Sequence, residues 1–224
     1  MTSRRRPLVI AVYNSKGGVG KSTLTVHLAV AAEQAGETVA IVDTDPQESS
    51  MTWGRARSEA GRLTPAAVAV SSAQLDAVLE AAFEDHISLV VIDTPPHAAP
   101  GSVAACDRAD LVVLPIRPSM FDLAAVGKAV RVVQASKKPA IFVLNGCPAR
   151  SPSEVKEAAE ALAVFGFPVA PVHIVDRRAF ARALASGRAV TEFEINGRAA
   201  GEIRELWHYI EEVLEHGKQD RRVG

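Results

Sequence analysis

Lys16-Gly17-Gly18-Val19-Gly20-Lys21-Ser22-Thr23 stands between a short apolar run, residues 8–14, and a long Ala-rich segment that begins at residue 22. Its residue types describe a cradle for phosphate. Glycines at 17, 18 and 20 let the backbone take positive φ and turn successive N–H groups toward anionic oxygens. The helix that follows points its positive end at the same anion. Lys21 adds a mobile charge for the β and γ phosphates of a nucleotide, and the Ser22 hydroxyl stands where a magnesium ligand is needed. A strand, this loop and a helix in that order imply an α/β chain with its nucleotide at a strand end.

The common loop pattern G-x-x-x-x-G-K-[ST] requires glycine at position 15, where this sequence has Ser15. In its place comes Lys16, five residues upstream of Lys21 and hard to aim at its own subunit's γ-phosphate. With x-K-G-G-x-G-K-[ST] at 15–22, the chain resembles the deviant Walker A family of ParA/MinD-type ATPases. The resemblance implies ATP and Mg²⁺ bound by Gly17, Gly18, Val19, Gly20, Lys21, Ser22 and Thr23. It also implies a homodimer formed with ATP, in which Lys16 crosses to the other subunit's nucleotide and acts in catalysis beside Lys21.

The 224 residues, 48% of them hydrophobic, suffice for one sizeable α/β domain and not for two ordinary ones. We expect a basic tail at 1–7, a single ATPase domain at 8–216 and a second tail at 217–224. Twenty-five basic and 26 acidic residues leave a net charge of −1, so any nucleic-acid surface must be local. Cys106 and Cys147 lack metal-type spacing and read as incidental thiols. The apolar run after Arg4-Arg5-Arg6 is too short for a signal-peptide core, and no run approaches a membrane span, so a cytoplasmic protein is expected.

Two further acidic strand ends extend the pattern. Residues 38–42 read as a strand ending in Asp43-Thr44-Asp45-Pro46-Gln47. Carboxylates at the C-terminal end of such a strand face the nucleotide crevice of an open α/β sheet; an Asx-type turn is the plainer alternative. By resemblance Asp45 activates the water that attacks the γ-phosphate, and Asp43 helps organise the magnesium shell. Residues 86–93 form an apolar strand ending in Asp93, followed by Thr94-Pro95-Pro96. This resembles a Walker B element and second switch, with Asp93 holding Mg²⁺ through water.

Helices are expected at 22–35, 49–60, 73–83, 123–136, 151–165 and 198–216, with strands at 66–70, 110–115, 140–144 and 167–173. Their alternation means a doubly wound, mainly parallel β-sheet flanked by helices. His27 reads as a packed or half-exposed helix residue; Trp53 reads as packed, and Arg55 and Arg57 as solvated. The string from Pro118 to Asp122 lies, in relatives, near the dimer face, and Asp122 is equally a helix N-cap. Asn145 contacts adenine by resemblance, and is also a common strand-end residue.

Between 177 and 204 six arginines face three acids, Glu192, Glu194 and Glu202. Such a patch neutralises phosphates without reading sequence, although an ordinary solvated helix face has the same composition. By resemblance Arg177, Arg178, Arg182 and Arg188 bind non-specific DNA in the ATP dimer, and a ParB-type or adaptor protein stimulates hydrolysis. The cycle would segregate a plasmid or chromosome, or position another cargo, with the protein nucleoid-associated when ATP-bound. Two rivals remain in view. A MinD-like membrane ATPase needs a basic amphipathic tail, whereas the last helix carries Glu202, Glu205, Glu211, Glu212 and Glu215. A P-loop metabolic ligase needs a small-molecule pocket and no trans-acting Lys16.

Overall fold

A computed structural model describes residues 6–223. Residues 1–5 of the expected basic tail lie outside it, while Arg6 pairs with Asp110 at 2.8 Å and Pro7 is buried. The strands are β1 (Leu8–Val12), β2 (Val39–Asp43), β3 (Ala66–Ala69), β4 (Leu89–Asp93), β5 (Leu111–Ile116), β6 (Ala140–Cys147) and β7 (Ile174–Val175). They form one sheet in the order β3-β2-β4-β1-β5-β6-β7, and every pairing is parallel. The helices are α1 (Lys21–Gln34), α2 (Ser49–Glu59), α3 (Leu75–Glu84), α4 (Pro100–Arg108), α5 (Met120–Ser136), α6 (Pro152–Ala163), α7 (Arg178–Ala185), α8 (Val190–Phe193) and α9 (Arg198–Val223).

The central strands are apolar along their length because both faces are covered. Ile10, Val12, Ile41 and Val91 point to one side, where Leu24 and Leu28 of α1, Trp53 of α2, Phe180 of α7, and Ile203, Leu206 and Trp207 of α9 close over them. Val9, Ala11, Tyr13, Val90 and Ile92 point to the other, under Leu75 of α3, Cys106 of α4, Val126 and Val130 of α5 and Leu162 of α6. The doubly wound reading holds. So does the packing of α9: Ile203, Leu206, Trp207, Ile210 and Leu214 are buried, and none of that apolar stripe is left for a lipid surface. Among the described residues no helix is long and apolar enough to cross a membrane.

Several boundaries differ from the sequence reading. The strand expected at 167–173 is only a bridge from Val169 to Phe142, and the ladder resumes at Ile174. Pro168 and Pro171 carry no N–H to donate to it. Helix α4 was not anticipated; it opens on Pro100, and proline at the first helical position costs no hydrogen bond. α5 starts three residues early: Ser119 caps it, accepting from the Asp122 N–H, so Asp122 is a first-turn residue and not the cap. α9 continues past residue 216 to Val223, through the segment expected as a tail. Arg57 is not solvated but 3% exposed.

Candidate nucleotide site

The loop between β1 and α1 folds as its glycines require. Gly18 and Gly20 take φ of 74° and 91°, and Gly20, in the left-handed region, caps α1 without a side chain. Asn14 braces the loop's first half: its amide donates to the Pro115 carbonyl at 2.8 Å, and its oxygen accepts the Lys16 N–H at 2.8 Å. Asn145 braces the second half. Its Nδ2 donates to the Val19 carbonyl at 2.7 Å, and a Cβ on Gly20 would lie 2.3 Å from that nitrogen. Asn145, expected at the adenine, thus supports the loop from behind in this structure.

Lys21 is 6% exposed, and its ammonium folds back to the Lys16 carbonyl at 3.3 Å. Burial pulls its pKa below the ordinary lysine value, against the charges of Asp93 and Asp45. A cation held with one weak internal acceptor is poised for an incoming anion.

Parallel pairing brings the acids together. Asp43 and Asp93 stand opposite one another at the C-terminal ends of β2 and β4, and Asp93 is also in register with Val12, where the loop begins. Asp43 is 1% exposed and organises the chain after it: one oxygen accepts the Asp45 N–H, the other the Met51 N–H, each at 3.0 Å. Burial raises its pKa, partly offset by these N–H groups. Asp93 is wholly buried and accepts from the Ser50 hydroxyl at 2.6 Å through Oδ2. Burial pushes its pKa up to about 7, against the pull of the Ser22 and Ser50 hydroxyls. Its Oδ1 has no hydrogen-bond partner, an orphaned hard oxygen beside Ser22.

Ser22 and Asp93, with Asp43 behind them, fit Mg²⁺, which takes oxygen ligands and keeps several waters. No group of three or more His, Cys, Asp and Glu side chains forms a cage among the described residues. The remaining positions around such an ion would fall to phosphate oxygens and water.

A cavity of about 640 Å³ opens over the loop. Gly17, Gly18 and Lys21–Thr23 form its floor, Asp45, Gln47 and Pro96 one rim, and Thr52, Trp53 and Ala56 of α2 a wall completed by Leu184 and Ala185 of α7. Asp45 is half-buried, with Oδ1 accepting the Gln47 N–H at 2.9 Å. The segment after Asp93 ties to the loop as well, the His97 N–H donating to the Ser15 carbonyl at 2.9 Å. Lys16 points away from this cavity's floor, and its Nζ lies 2.8 Å from Asp122 Oδ1.

The match to a family model covers residues 10–190, described as the CobQ/CobB/MinD/ParA nucleotide binding domain. The chain belongs to this family. It is a P-loop ATPase of the ParA/MinD type, the fold class read from the sequence. A "Maintenance of carboxysome distribution protein A" from Gloeobacter kilaueensis is 35% identical over 211 residues, 93% of this chain and 94% of that one. The chromosome-partitioning ATPase Soj of Thermus thermophilus is 28% identical over 165 residues, 61% of this chain and 66% of that one. Among solved structures, the septum site-determining protein MinD of Pyrococcus horikoshii, complexed with Mg-ADP, has a TM-score of 0.73 at 16% identity, covering 94% and 98%.

The arginines assigned to DNA are not equivalent in this ATPase. Arg178 and Arg182 are exposed one turn apart on α7. Arg182 lies over the Phe193 ring and 3.9 Å from Glu194, whereas Arg177 pairs with Glu202 at 2.7 Å. Arg188 is half-buried at the turn after α7, where its carbonyl accepts from the Trp53 indole at 3.3 Å.

That turn also receives Arg57, which the sequence reading left in solvent. Arg57 stacks on Trp53, donates to the Gly187 and Thr64 carbonyls and makes a bidentate pair with Glu192 at 2.9 Å. The arginine four residues after a tryptophan at helical spacing was the available signal. Its partner 135 residues away was not.

Proposed function

We propose that this ATPase is a positioning or partition ATPase of the ParA kind. ATP with Mg²⁺ joins two copies face to face, and Lys16 of each reaches the nucleotide of the other. Lys21 neutralises the phosphates, Ser22 and Asp93 hold the ion, and Asp45 orients the attacking water; in phosphoryl transfer such positioning and charge placement supply most of the rate. The dimer binds DNA without sequence preference, at the nucleoid, and a centromere-binding or adaptor protein stimulates hydrolysis and release. The cargo is a DNA molecule or a protein assembly.

The observation that carries this reading is the placement of α7. Its Leu184 and Ala185 wall the nucleotide cavity, and the same two-turn helix exposes Arg178 and Arg182. A nucleotide that shifts this wall shifts the basic surface with it, which makes DNA binding depend on nucleotide state. Phosphate contacts of this kind weaken with salt.

The test is binding to random-sequence DNA with ATP, with ADP and without nucleotide, at low and moderate salt, for wild type and Arg178→Glu. Binding confined to ATP, and lost with salt and with the charge reversal, is the expected result. No binding in any state overturns the DNA step. Asp45→Ala is expected to abolish turnover while ATP still binds; unchanged turnover removes Asp45 from the mechanism.

A further inference from the structure

Met120 and Phe121, 81% and 79% exposed beside Asp122 and Lys16, belong to the face that the resemblance gives to the dimer. Leu63 and Val164 stand singly in solvent, as is ordinary for a protein surface. Ile195, 59% exposed, has different surroundings. It lies in the short turn between α8 and α9, and that turn is tied down from both sides. The Gly197 N–H donates to the Glu194 carbonyl at 2.7 Å, and a Cβ on Gly197 would lie 2.9 Å from that oxygen, so the turn closes this tightly because residue 197 is glycine. Arg204 of α9 donates to the Ile195 carbonyl at 2.8 Å. Arg182 of α7 lies over the Phe193 ring at 5.2 Å and 3.9 Å from the Glu194 carboxylate. Two arginines from two helices thus hold the turn, while the Ile195 side chain is left in solvent between them.

The acids nearby are largely spent. Glu192 is taken by Arg57, and Glu202 by Arg177 and the Val175 N–H. On α7 and the start of α9, Arg178, Arg182, Arg198 and Arg204 are exposed, against Glu194 and Glu205. Asn196, beside the isoleucine, is exposed as well.

We propose that Ile195 is an apolar wedge that enters the minor groove of duplex DNA, with Asn196 at the base edges and Arg182 and Arg204 on the flanking phosphates. The inference rests on the reading that this ATPase binds DNA through its arginines, and adds to it a contact with the bases. Proteins that read the minor groove combine arginine and asparagine with an inserted apolar side chain that partly unstacks one base step. A rigidly held isoleucine among cations matches both parts of that partner: phosphates meet the arginines, and the opened stack takes the side chain. Opening costs least at flexible pyrimidine–purine steps such as TA, and the guanine amino group projects into the minor groove. Binding that the phosphates alone would leave indifferent to sequence therefore gains a preference for TA-rich duplex.

The experiment measures the affinity of the full chain, with Mg²⁺ and a non-hydrolysable ATP analogue, for an alternating TA duplex and a G-tract duplex of equal length over a series of salt concentrations. Wild type, Ile195→Ser, Ile195→Leu and Arg182→Gln are compared. Wild type is expected to favour the TA duplex about tenfold. Ile195→Ser should lose about tenfold on that duplex, and the preference with it, at an unchanged salt slope because no charge is removed. Ile195→Leu should keep both. Arg182→Gln should weaken both duplexes alike and lower the slope by about one for each copy bound. An Ile195→Ser chain within about twofold of wild type on both duplexes overturns the wedge and leaves the DNA reading standing. A wild type that binds neither duplex overturns that reading and the wedge with it. Binding to phosphatidylglycerol vesicles that Ile195→Ser abolishes, with DNA binding intact, assigns the turn to a lipid surface and likewise overturns the wedge.

Discussion

Replacing Gly187 by alanine should loosen the joint between α2 and the turn after α7. Gly187 has φ of 64°, and an added Cβ would lie 2.6 Å from the Arg57 backbone nitrogen and 2.7 Å from the Ala56 carbonyl carbon and oxygen. Those neighbours are helix backbone and cannot rotate away. The left-handed conformation costs alanine about 1–2 kcal/mol, and forcing a methyl into a packed contact adds about 1–3 kcal/mol, together about 2–5 kcal/mol. For a chain of this size that lowers Tm by roughly 4–20 °C. Gly61 is the internal control: its φ is 77°, but nothing lies within 4 Å of an added Cβ, so Gly61→Ala carries the backbone cost alone. Urea and thermal unfolding of both variants separate the two contributions. If Gly187→Ala proves no more destabilising than Gly61→Ala, the close approach of α2 to this turn is not what the stability depends on.

Three other outcomes follow from the same structure. Burial drives the His27 pKa down to about 3, with both ring nitrogens unpartnered and the ring stacked on Phe180. The unfolded chain therefore takes up a proton near pH 6.5 that the folded chain refuses, so stability is lost as pH falls from there toward 3, by about 2 kcal/mol at pH 5. Urea titrations at pH 7.5 and 5 should show that difference shrink by the same amount in His27→Leu; an unchanged pH slope would acquit His27. Arg57→Ala leaves the Glu192 carboxylate half-buried without its main partner and should cost about 3–5 kcal/mol, whereas Arg57→Met with Glu192→Met should recover most of it; equal losses in both chains would refute the pairing account. Lys21→Ala should weaken ATP binding roughly 10- to 100-fold, the range of one charge-assisted hydrogen bond. Calorimetric titration of the folded variant checks this, and an affinity equal to that of wild type would remove Lys21 from the phosphate site.

How far the site was legible follows from the range of each interaction. Glycines 17, 18 and 20, Lys21 and Ser22 act through adjacent backbone, so their spacing alone describes the cradle. Asp43 and Asp93 were legible because each ends an apolar run, and parallel strands that start together end together. Trp53 read correctly as packed. Arg57 did not, since a charged side chain on a helix carries no local mark of burial: its bidentate partner Glu192 and the Gly187 carbonyl lie more than a hundred residues on. The contact of the Asn145 amide with the Val19 carbonyl, across 126 residues, likewise carries no local mark.

By itself the sequence determined the strand–loop–helix that cradles phosphate, the two acids at strand ends and the doubly wound parallel sheet, because these depend on residue type and periodicity over a few turns of chain. Only the tertiary structure decided that Lys16 rests on Asp122, that Met120 and Phe121 flank it in solvent, and that α7 walls the nucleotide cavity while carrying arginines. Those are meetings between elements distant in sequence, and nothing local in the chain encodes which of its surfaces will face each other once the two layers of helix close on the sheet.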